Sequence, residues 1–294
     1  MEGVGEQMDV TGTSGRPYRI LKTIFKSERS VVFRATCYDQ TKDLAMNVAI
    51  KLVYEERVRG ELEVLQRVRQ LNSPYLLKLL DTIRFDEKKV IGLVFRLYDM
   101  SLLDFFSTNK MVTHRVIKHI LWQVATGIQT LHINGIAHLD IKLENIMIND
   151  KYDIVIIDFG YSEIMGERQV IDRFCGSYMY VSPEQISLKV YDPLKSDVWS
   201  FGILMFVCLC SRFPFRSEKD SVEELFASIA SAPVFVPNTV VPRARDLISR
   251  ILDRNPKTRV SMADVLEHTW FTVTNNLNSN IAVNSRIGRK SHTV

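Results

Sequence analysis

The chain has 294 residues, of which 46% are hydrophobic and 24% are charged. This length allows one large domain or two lobes around a cleft, with enough apolar surface for an extensive core. The formal net charge of +4 is too small to favour a nucleic-acid-binding protein, and the most apolar stretch, residues 201–210, is shorter than the roughly 18 residues that cross a membrane.

Residues 1–16 are rich in glycine, threonine and serine and show no hydrophobic periodicity, which predicts a flexible leader. From Tyr18 to Phe95 short runs of apolar and β-branched residues predict strands, and the charged stretch 55–71 that interrupts them predicts a helix. The predicted strands are 18–24, 31–36, 47–54, 79–85 and 89–96. Five strands and one helix indicate a small sheet lobe over residues 17–97.

Helical patterns dominate from Ser101 onward. Apolar residues recur at spacings of three and four from Ile117 to Leu131, which is typical of an amphipathic helix with one face in the core. Further helices are predicted around 195–210, 221–230, 242–253 and 261–268. We therefore expect an α+β fold of two lobes, with a mainly helical lobe over residues 98–271 and a ligand cleft where the lobes meet. The Asn- and Ser-rich residues 272–294 predict a disordered tail.

The four cysteines, Cys37, Cys175, Cys208 and Cys210, lack Cys or His partners at the spacing of metal ligands. Buried thiols are the favoured interpretation, and they indicate an intracellular protein. We expect it in the cytoplasm, with the nucleus as the second candidate location.

The run His138-Leu139-Asp140-Ile141-Lys142-Leu143-Glu144-Asn145 is followed thirteen residues later by Asp158-Phe159-Gly160. In such a stretch Asp140 can accept a proton from a substrate hydroxyl, and Asn145 and Asp158 can hold Mg²⁺ against phosphates. A polar turn between a helix and a hairpin is the alternative, but matched residue types at fixed offsets do not favour it. These motifs resemble the catalytic loop and the metal-binding triplet of the protein kinase family.

The resemblance extends to Val48-Ala49-Ile50-Lys51, which matches the family's strand motif and implies that Lys51 binds the ATP phosphates. Its partner should be a glutamate on the following helix, and Glu61 fits the family's pattern better than Glu63. A solvated helix face is the alternative for either acid. Lys142 is typical of serine/threonine kinases and would offset charge on the transferred phosphate.

The family match also implies an adenine pocket with apolar walls and a backbone segment that hydrogen-bonds the base. The walls would be formed by Val32, Ala49, Phe95 and Met147. The backbone segment would run from Arg96 to Tyr98. Taken alone, each apolar residue is more often plain core, so these roles rest on the resemblance.

Four residues of the helical lobe match structural positions of the family. Ser177 would lie by the catalytic aspartate, and Asp197 would brace the backbone of the catalytic loop. Arg259 would pair with Glu184 through two parallel hydrogen bonds. An exposed salt bridge of little worth is the alternative for that pair.

The ending His268-Thr269-Trp270-Phe271 resembles that of the calcium/calmodulin-dependent group of kinases, so the resemblance covers about residues 18–271. It implies a serine/threonine protein kinase that uses ATP and Mg²⁺ and acts on protein substrates. It also allows a regulatory partner, which the residues do not identify. Glu144 resembles an acid that some family members use to read basic residues before the target hydroxyl, with a structural role as the alternative.

The glycine-rich loop of the family is the first departure. Phe25, Ser27 and Ser30 stand where glycines are expected, and side chains there should hold the loop away from the phosphates. The expected result is weaker ATP binding, slower transfer, or both. Lys26 and Arg29 offer direct charge in place of the lost backbone contacts, but a solvated hairpin tip is the favoured interpretation.

Leu139 is the second departure, because the family's arginine at that place needs a phosphate on the activation segment. Between Glu163 and Gly176 the chain has no Ser, Thr or Tyr, so we predict activation without phosphorylation in that stretch. The competing hypothesis is a pseudokinase that acts as a scaffold or regulatory binding module. The missing glycines support it, and an intact catalytic set opposes it: Lys51, Glu61, Asp140, Lys142, Asn145 and Asp158.

Overall fold

The structure of the protein is a computed structural model that describes residues 7–39, 44–85, 89–109, 111–166, 170–187 and 190–272. The N-terminal lobe is an antiparallel sheet whose strands are β1 (Met8–Thr11), β2 (Pro17–Lys26), β3 (Ser30–Asp39), β4 (Leu44–Tyr54), β5 (Leu79–Phe85) and β6 (Val90–Arg96). Their spatial order is β1-β2-β3-β4-β6-β5. The five predicted strands are confirmed, although β3 and β4 extend beyond the predicted bounds.

Strand β1 corrects two predictions, because the sheet has six strands rather than five and residues 7–16 are not a flexible leader. Met8 pairs with Ile20 of β2, and the following turn is fastened to β5 by the hydroxyl of Thr13, which donates to Asp81 Oδ1 at 3.0 Å. The backbone N–H of Thr13 also donates to Thr82 O at 2.7 Å. The sequence of residues 7–16 is polar and has no hydrophobic periodicity, so the segment is held in place by the distant residue Asp81. Residues 1–6 lie outside the described residues.

Helix α1 (Glu55–Gln70) connects β4 to β5 and packs on the sheet through one apolar face. Val58, Val64 and Leu65 are buried on that face. At the C-terminal end of the helix the ammonium of Lys78 donates to Val68 O at 2.6 Å and also to Leu71 O. A cation at a helix C-terminus satisfies carbonyls that have no partner within the helix and interacts favourably with the helix dipole.

The C-terminal lobe is mainly helical, as predicted. Its helices are α2 (Leu102–Thr108), α3 (His114–Ile133), α4 (Pro183–Ile186), α5 (Pro193–Cys210), α6 (Val222–Ser231), α7 (Pro242–Ile251), α8 (Met262–Glu267) and α9 (Thr269–Thr272). Two small antiparallel ribbons lie on the side that faces the sheet. They pair β7 (Ile136–Ala137) with β10 (Glu163–Ile164), and β8 (Ile146–Ile148) with β9 (Ile154–Ile156). The predicted tail 272–294 begins at Thr272, which instead ends helix α9. Its remaining residues, 273–294, lie outside the described residues.

Helix α5 is the central core helix of this lobe. It is 18 residues long with a mean hydropathy of 1.4, enough by length and composition to cross a membrane, but 72% of it is buried inside the protein. Trp199, Phe201 and Phe206 on it are completely buried. Burial on all sides explains its continuous apolar character, since a helix at the centre of a lobe has no solvent face.

Candidate active site

A cavity of about 520 Å³ lies between the sheet and the helical lobe. Strands β2, β3 and β4 form its upper wall, and the segment after β6 forms its back. Its floor is formed by Met147 of β8, by residues just before β8 and by the residues that follow β9. All the residues that the resemblance assigned to adenine binding line it: Val32, Ala49, Phe95, Arg96, Tyr98 and Met147. The sheet register explains the juxtaposition of two of them, because Ala49 pairs directly with Phe95.

The backbone at the back of the cavity has groups that a flat heterocycle could use. Leu97 N–H donates to Asn47 O at 3.4 Å, so this amide already has a partner. In the part of the chain that the structure describes, no hydrogen bond uses the N–H or C=O of Tyr98. A half-buried backbone donor and acceptor beside an apolar cavity fit a ligand with a matching polar edge.

Lys51 lies deep in the cavity between two carboxylates. Its ammonium is 2.7 Å from Glu61 Oε1 and 2.7 Å from Asp158 Oδ1. The side chains of Lys51 and Glu61 are only 14% and 5% exposed. The competing candidate Glu63 faces solvent and pairs instead with Arg67 at 3.5 Å. Glu61 shares the inward face of α1 with Val58, Leu65 and their neighbours, whereas two further residues turn Glu63 by about 200° to the other face.

These charges shift one another's pKa values. Burial tends to lower the pKa of Lys51, but the charges of Glu61 and Asp158 outweigh it and raise the pKa, so the ammonium stays protonated. Burial raises the pKa of Glu61 against the opposing effect of Lys51. Burial also acts to raise the pKa of Asp158, but the charge and hydrogen bond of Lys51 lower it overall. Asp158 is therefore the more firmly ionised carboxylate.

The carboxylate of Asp140 is the centre of a second cluster. Lys142 Nζ donates to its Oδ2 at 2.7 Å, and the hydroxyl of Ser177 donates to its Oδ1 at 2.9 Å. Lys142 also donates to the Ser177 hydroxyl at 2.9 Å. Asn145 Nδ2 donates both to Asp140 Oδ2 and to Asp140 O, each at 2.9 Å. Four residues that the sequence spreads from position 140 to 177 therefore meet around one carboxylate.

Asn145 and Asp158 fit a divalent cation by the atoms they leave available. The bonds of Asn145 use its Nδ2, and those of Asp158 use its Oδ1, which accepts from Lys51 and from Gly160 N–H. Within the described ranges no hydrogen bond uses Asn145 Oδ1 or Asp158 Oδ2. One amide oxygen and one carboxylate oxygen suit Mg²⁺, which takes few protein ligands beside phosphates and water.

The backbone of the catalytic loop is held from below by Asp197 on α5. Its carboxylate accepts from His138 N–H and Leu139 N–H, both at 2.7 Å, and contacts His132 Nε2 at 3.0 Å. Asp197 is completely buried. The resemblance implied the brace, whereas the contribution of His132 was missed because a single histidine late in an amphipathic helix gives no distinctive signal.

Leu139 anchors the activation segment by apolar contacts. It is 4% exposed and forms a small buried cluster with Ala137, Cys175 and Tyr191. The Tyr191 hydroxyl donates to Arg173 O at 2.9 Å. The cluster thus joins the catalytic loop to the described parts of the segment on both sides of residues 167–169, which lie outside the described residues.

The hairpin between β2 and β3 has serines where glycines were expected, and these serines shape its turn. Ser27 N–H donates to Ser30 O at 2.9 Å, and the Ser27 hydroxyl accepts from Ser30 N–H at 3.2 Å. Phe25 is 57% exposed and lines the cavity. Lys26 and Arg29 are exposed, so the favoured interpretation of a solvated tip is confirmed. The guanidinium of Arg29 also lies 4.7 Å from the ring centroid of Tyr161, a contact that the sequence did not predict.

Glu184 and Arg259 form a buried pair, so the alternative of an exposed salt bridge is wrong. Arg259 donates from Nη1 and Nη2 to the two carboxylate oxygens at 2.5 and 2.9 Å. The Arg259 side chain is completely buried and the Glu184 side chain is 9% exposed. The guanidinium also lies 5.0 Å from the ring centroid of Trp199, which ties α4 and the loop before α8 to the core helix α5.

Comparison with known proteins agrees with this geometry. Residues 18–271 match the model of the protein kinase domain, and the chain belongs to the protein kinase family. It is 31% identical over 87% of its length to the carbon catabolite-derepressing protein kinase of Candida glabrata. It is 33% identical over 76% of its length to the CBL-interacting serine/threonine-protein kinase 15 of Arabidopsis thaliana. The matched regions span only 42% and 55% of those two relatives.

Proposed function

We propose that the protein is an active serine/threonine protein kinase that transfers the γ-phosphoryl group of ATP to protein substrates. The observation that carries this proposal is the arrangement around Asp140, whose carboxylate lies 2.7 Å from Lys142 and 2.9 Å from Ser177. Such a carboxylate is held where it can receive a proton, with a cation beside it. We also propose that the protein is related to the calcium/calmodulin-dependent group of kinases.

In the proposed reaction the hydroxyl oxygen of a substrate Ser or Thr attacks the γ-phosphorus of ATP. The hydroxyl proton passes to Asp140, and the bond from the γ-phosphorus to the ADP oxygen breaks. Lys142 offsets the charge of the transferred group, and Lys51, oriented by Glu61, binds the phosphates of ATP. When bound by Asn145 and Asp158, Mg²⁺ neutralises charge on the phosphates.

Activation without phosphorylation of the segment 163–176 is a further part of the proposal. The apolar cluster around Leu139 supports it, because the segment is already anchored by burial rather than by a pair between a phosphate and a cation. A buried apolar contact needs no modifying enzyme, so the site is expected to be assembled as soon as the chain folds.

The second candidate function is a pseudokinase that acts as a scaffold or regulatory binding module. The observation that favours it is the β2–β3 hairpin, where Ser30 is buried and Phe25 projects along the cavity. Side chains in this place restrict the approach of backbone N–H groups to phosphates. A pure binding module, however, would have no need of the Asp140 cluster.

An assay with γ-labelled ATP and a mixed protein substrate separates the two functions. We expect the parent protein to transfer label to Ser or Thr, and Asp140→Asn to lose about 10²- to 10⁴-fold in kcat while still binding nucleotide. Asp150→Asn is the matched control, since Asp150 is exposed on the turn after β8. If the parent transfers no more label than Asp140→Asn although both bind ATP, the pseudokinase function is favoured.

Partners and location complete the proposal. We propose protein substrates, a regulatory partner and a cytoplasmic or nuclear location. One relative's name describes it as CBL-interacting, which supports a regulatory protein partner for this chain as well. Glu144 lies exposed at the edge of the cavity, where it can favour a basic residue of the substrate by charge.

A further inference from the structure

Two side chains, Arg29 at the tip of the β2–β3 hairpin and Tyr161 of the opposite lobe, contact each other across the cleft. The guanidinium of Arg29 lies 4.7 Å from the ring centroid of Tyr161, which is within the range of a cation–π interaction. Tyr161 directly follows Asp158-Phe159-Gly160 and lies two residues before the activation segment 163–176. The contact therefore crosses the cleft at the end of the cavity where Lys51 meets Asp158.

The hairpin presents Arg29 in a defined way because its own serines close the turn. The Ser27 hydroxyl accepts from Arg29 N–H at 3.3 Å and from Ser30 N–H at 3.2 Å, and Ser27 N–H donates to Ser30 O at 2.9 Å. These bonds use two of the positions where glycines were expected. The Ser27 side chain, which stands where a glycine was expected, thus fixes the backbone of the tip.

Tyr161 is a fixed platform on the other side. Its half-buried ring packs against the cluster that contains Leu139, Cys175 and Tyr191. Its carbonyl accepts from Arg173 Nη2 at 3.3 Å, and the same nitrogen is 2.6 Å from a Glu163 carboxylate oxygen. The ring is therefore held from below and through its backbone.

We infer that Arg29 and Tyr161 are positioning residues that hold the hairpin over the phosphate end of the nucleotide site. This contact takes over a part of the role of the missing glycine backbone, and the apolar cluster around Leu139 supports it from below. The two departures from the family pattern are thus physically connected through Tyr161. The guanidinium acts through the ring rather than directly on the phosphates.

The size of the effect follows from the contact. An exposed cation–π interaction contributes about 0.5–1 kcal/mol, which corresponds to a change of about two- to fivefold in affinity. The effect should appear for a ligand with phosphates and be absent for adenosine, because Arg29 contacts Tyr161, three residues after Asp158, and adenosine has no phosphates to place at that end of the cavity. In kinetic assays, loss of the contact should raise KM for ATP and leave kcat nearly unchanged.

A double-mutant cycle with Arg29→Leu and Tyr161→Leu tests the inference. Titration calorimetry with Mg²⁺ and the non-hydrolysable analogue adenosine 5′-(β,γ-imido)triphosphate gives the affinity, and adenosine alone is the second ligand. We expect each single variant to bind the analogue about two- to fivefold more weakly, with no further loss in the double variant. Tyr161→Phe keeps the ring and should keep the dependence on Arg29. Lys26→Leu removes an exposed cation at the end of β2, three residues before Arg29, and is the matched control.

Three results would overturn the inference. Fully additive losses in the double variant, or a loss in Arg29→Leu with none in Tyr161→Leu, would mean that Arg29 contacts the phosphates directly. Equal losses for adenosine would mean that the variants damage the whole site, and their thermal unfolding midpoints check this independently. The binding arm does not require catalysis, so it stands even if the proposed kinase activity fails, whereas the KM shift rests on that activity.

Discussion

The backbone N–H of Leu139 donates to Asp197 Oδ1 at 2.7 Å, although the two residues are 58 positions apart. Leu139 has a φ of +65°, a left-handed conformation that costs a non-glycine residue about 1–2 kcal/mol. Its carbonyl oxygen lies so close to Gly176 that a Cβ on that glycine would approach it to 2.8 Å. The strained catalytic loop is thus held between a buried acid and the activation segment.

Removal of that acid should disorganise the loop. Asp197→Ala leaves two buried N–H groups without their acceptor, each worth about 1–3 kcal/mol, and should lower both the free energy of unfolding and kcat. Asp192→Ala on the same helix is the control, because Asp192 only caps α5 by accepting from Leu194 N–H at 2.9 Å. That cap should cost about 1 kcal/mol and leave kcat unchanged. Chemical denaturation and transfer assays measure both, and equal kcat losses would contradict the brace.

The two acids of α1 should behave differently. Glu61→Gln removes one of the two charges that hold Lys51 and should lower kcat/KM roughly 10- to 100-fold, which corresponds to about 1.4–3 kcal/mol. Glu63→Gln breaks only an exposed contact with Arg67 and should have no effect. Because burial raises the pKa of Glu61 above its usual 4.5, the parent should also lose activity on acidification at a higher pH than a free glutamate predicts. The pH–rate profiles of the parent and of Glu61→Gln test this expectation. If the parent shows no such loss of activity in acid, the role of Glu61 is contradicted.

Leu139→Arg should release the activation segment instead of improving it. Leu139 is only 4% exposed, so an unpaired cation at this position costs several kcal/mol. The segment should detach from the cluster, and limited proteolysis should then cut residues 161–176 faster. Leu139→Met conserves volume and should cost less than about 1.5 kcal/mol. Phosphatase treatment of the parent should leave its activity nearly intact, and a near-complete loss would contradict activation by burial.

Removal of one partner of the Glu184–Arg259 pair should strongly lower the free energy of unfolding. Glu184→Gln leaves the completely buried Arg259 guanidinium without its counter-charge and should cost about 3–5 kcal/mol of unfolding free energy. Glu63→Gln is the control, because the Glu63–Arg67 pair is exposed and should contribute less than about 1 kcal/mol. Urea denaturation measures both, and a small effect of Glu184→Gln would show that water or another acid replaces it.

Asp81 should make the N-terminal hairpin sensitive to acid. Burial tends to raise the pKa of Asp81, but hydrogen bonds from Ser14, Thr82, Tyr18 and Thr13 lower it below the usual 3.8. Because the folded-state pKa is lower than the unfolded one, the carboxylate stabilises the fold above about pH 4, and this contribution is lost as the pH falls through the folded-state pKa. Asp81→Asn should be less stable than the parent by about 2 kcal/mol near neutral pH.

The difference between Asp81→Asn and the parent should shrink in acid, and unfolding free energies at about pH 6 and about pH 3.5 test the sign. Asp9→Asn is the control, because Asp9 forms an exposed pair with Arg19 in the same hairpin. It should show no measurable change at either pH. A difference for Asp81→Asn that persists undiminished in acid would mean that the carboxylate is not the stabilising form.

Most elements of this fold could be predicted from local patterns. The spacing of apolar residues from Ile117 to Leu131 predicted α3, and alternating β-branched runs predicted five of the six strands, because each pattern follows the geometry of its own element. The pairing of Lys51 with Glu61 rather than Glu63 was predicted from the family resemblance, and the structure adds that Glu61 shares a helix face with the buried valines and leucines of α1.

The strand β1, the cluster around Leu139 and the contact of Arg29 with Tyr161 could not be predicted in the same way. In each case the partner comes from a distant part of the chain: Asp81 for the turn after β1, Cys175 and Tyr191 for Leu139, and Tyr161 for the hairpin tip. Local sequence indicated the candidate residues for the chemistry and determined which segments become strands or helices, because those depend on nearby side chains. Only the tertiary structure decided how the two departures from the family pattern are accommodated, because burial and long-range contacts exist only once the lobes have packed together.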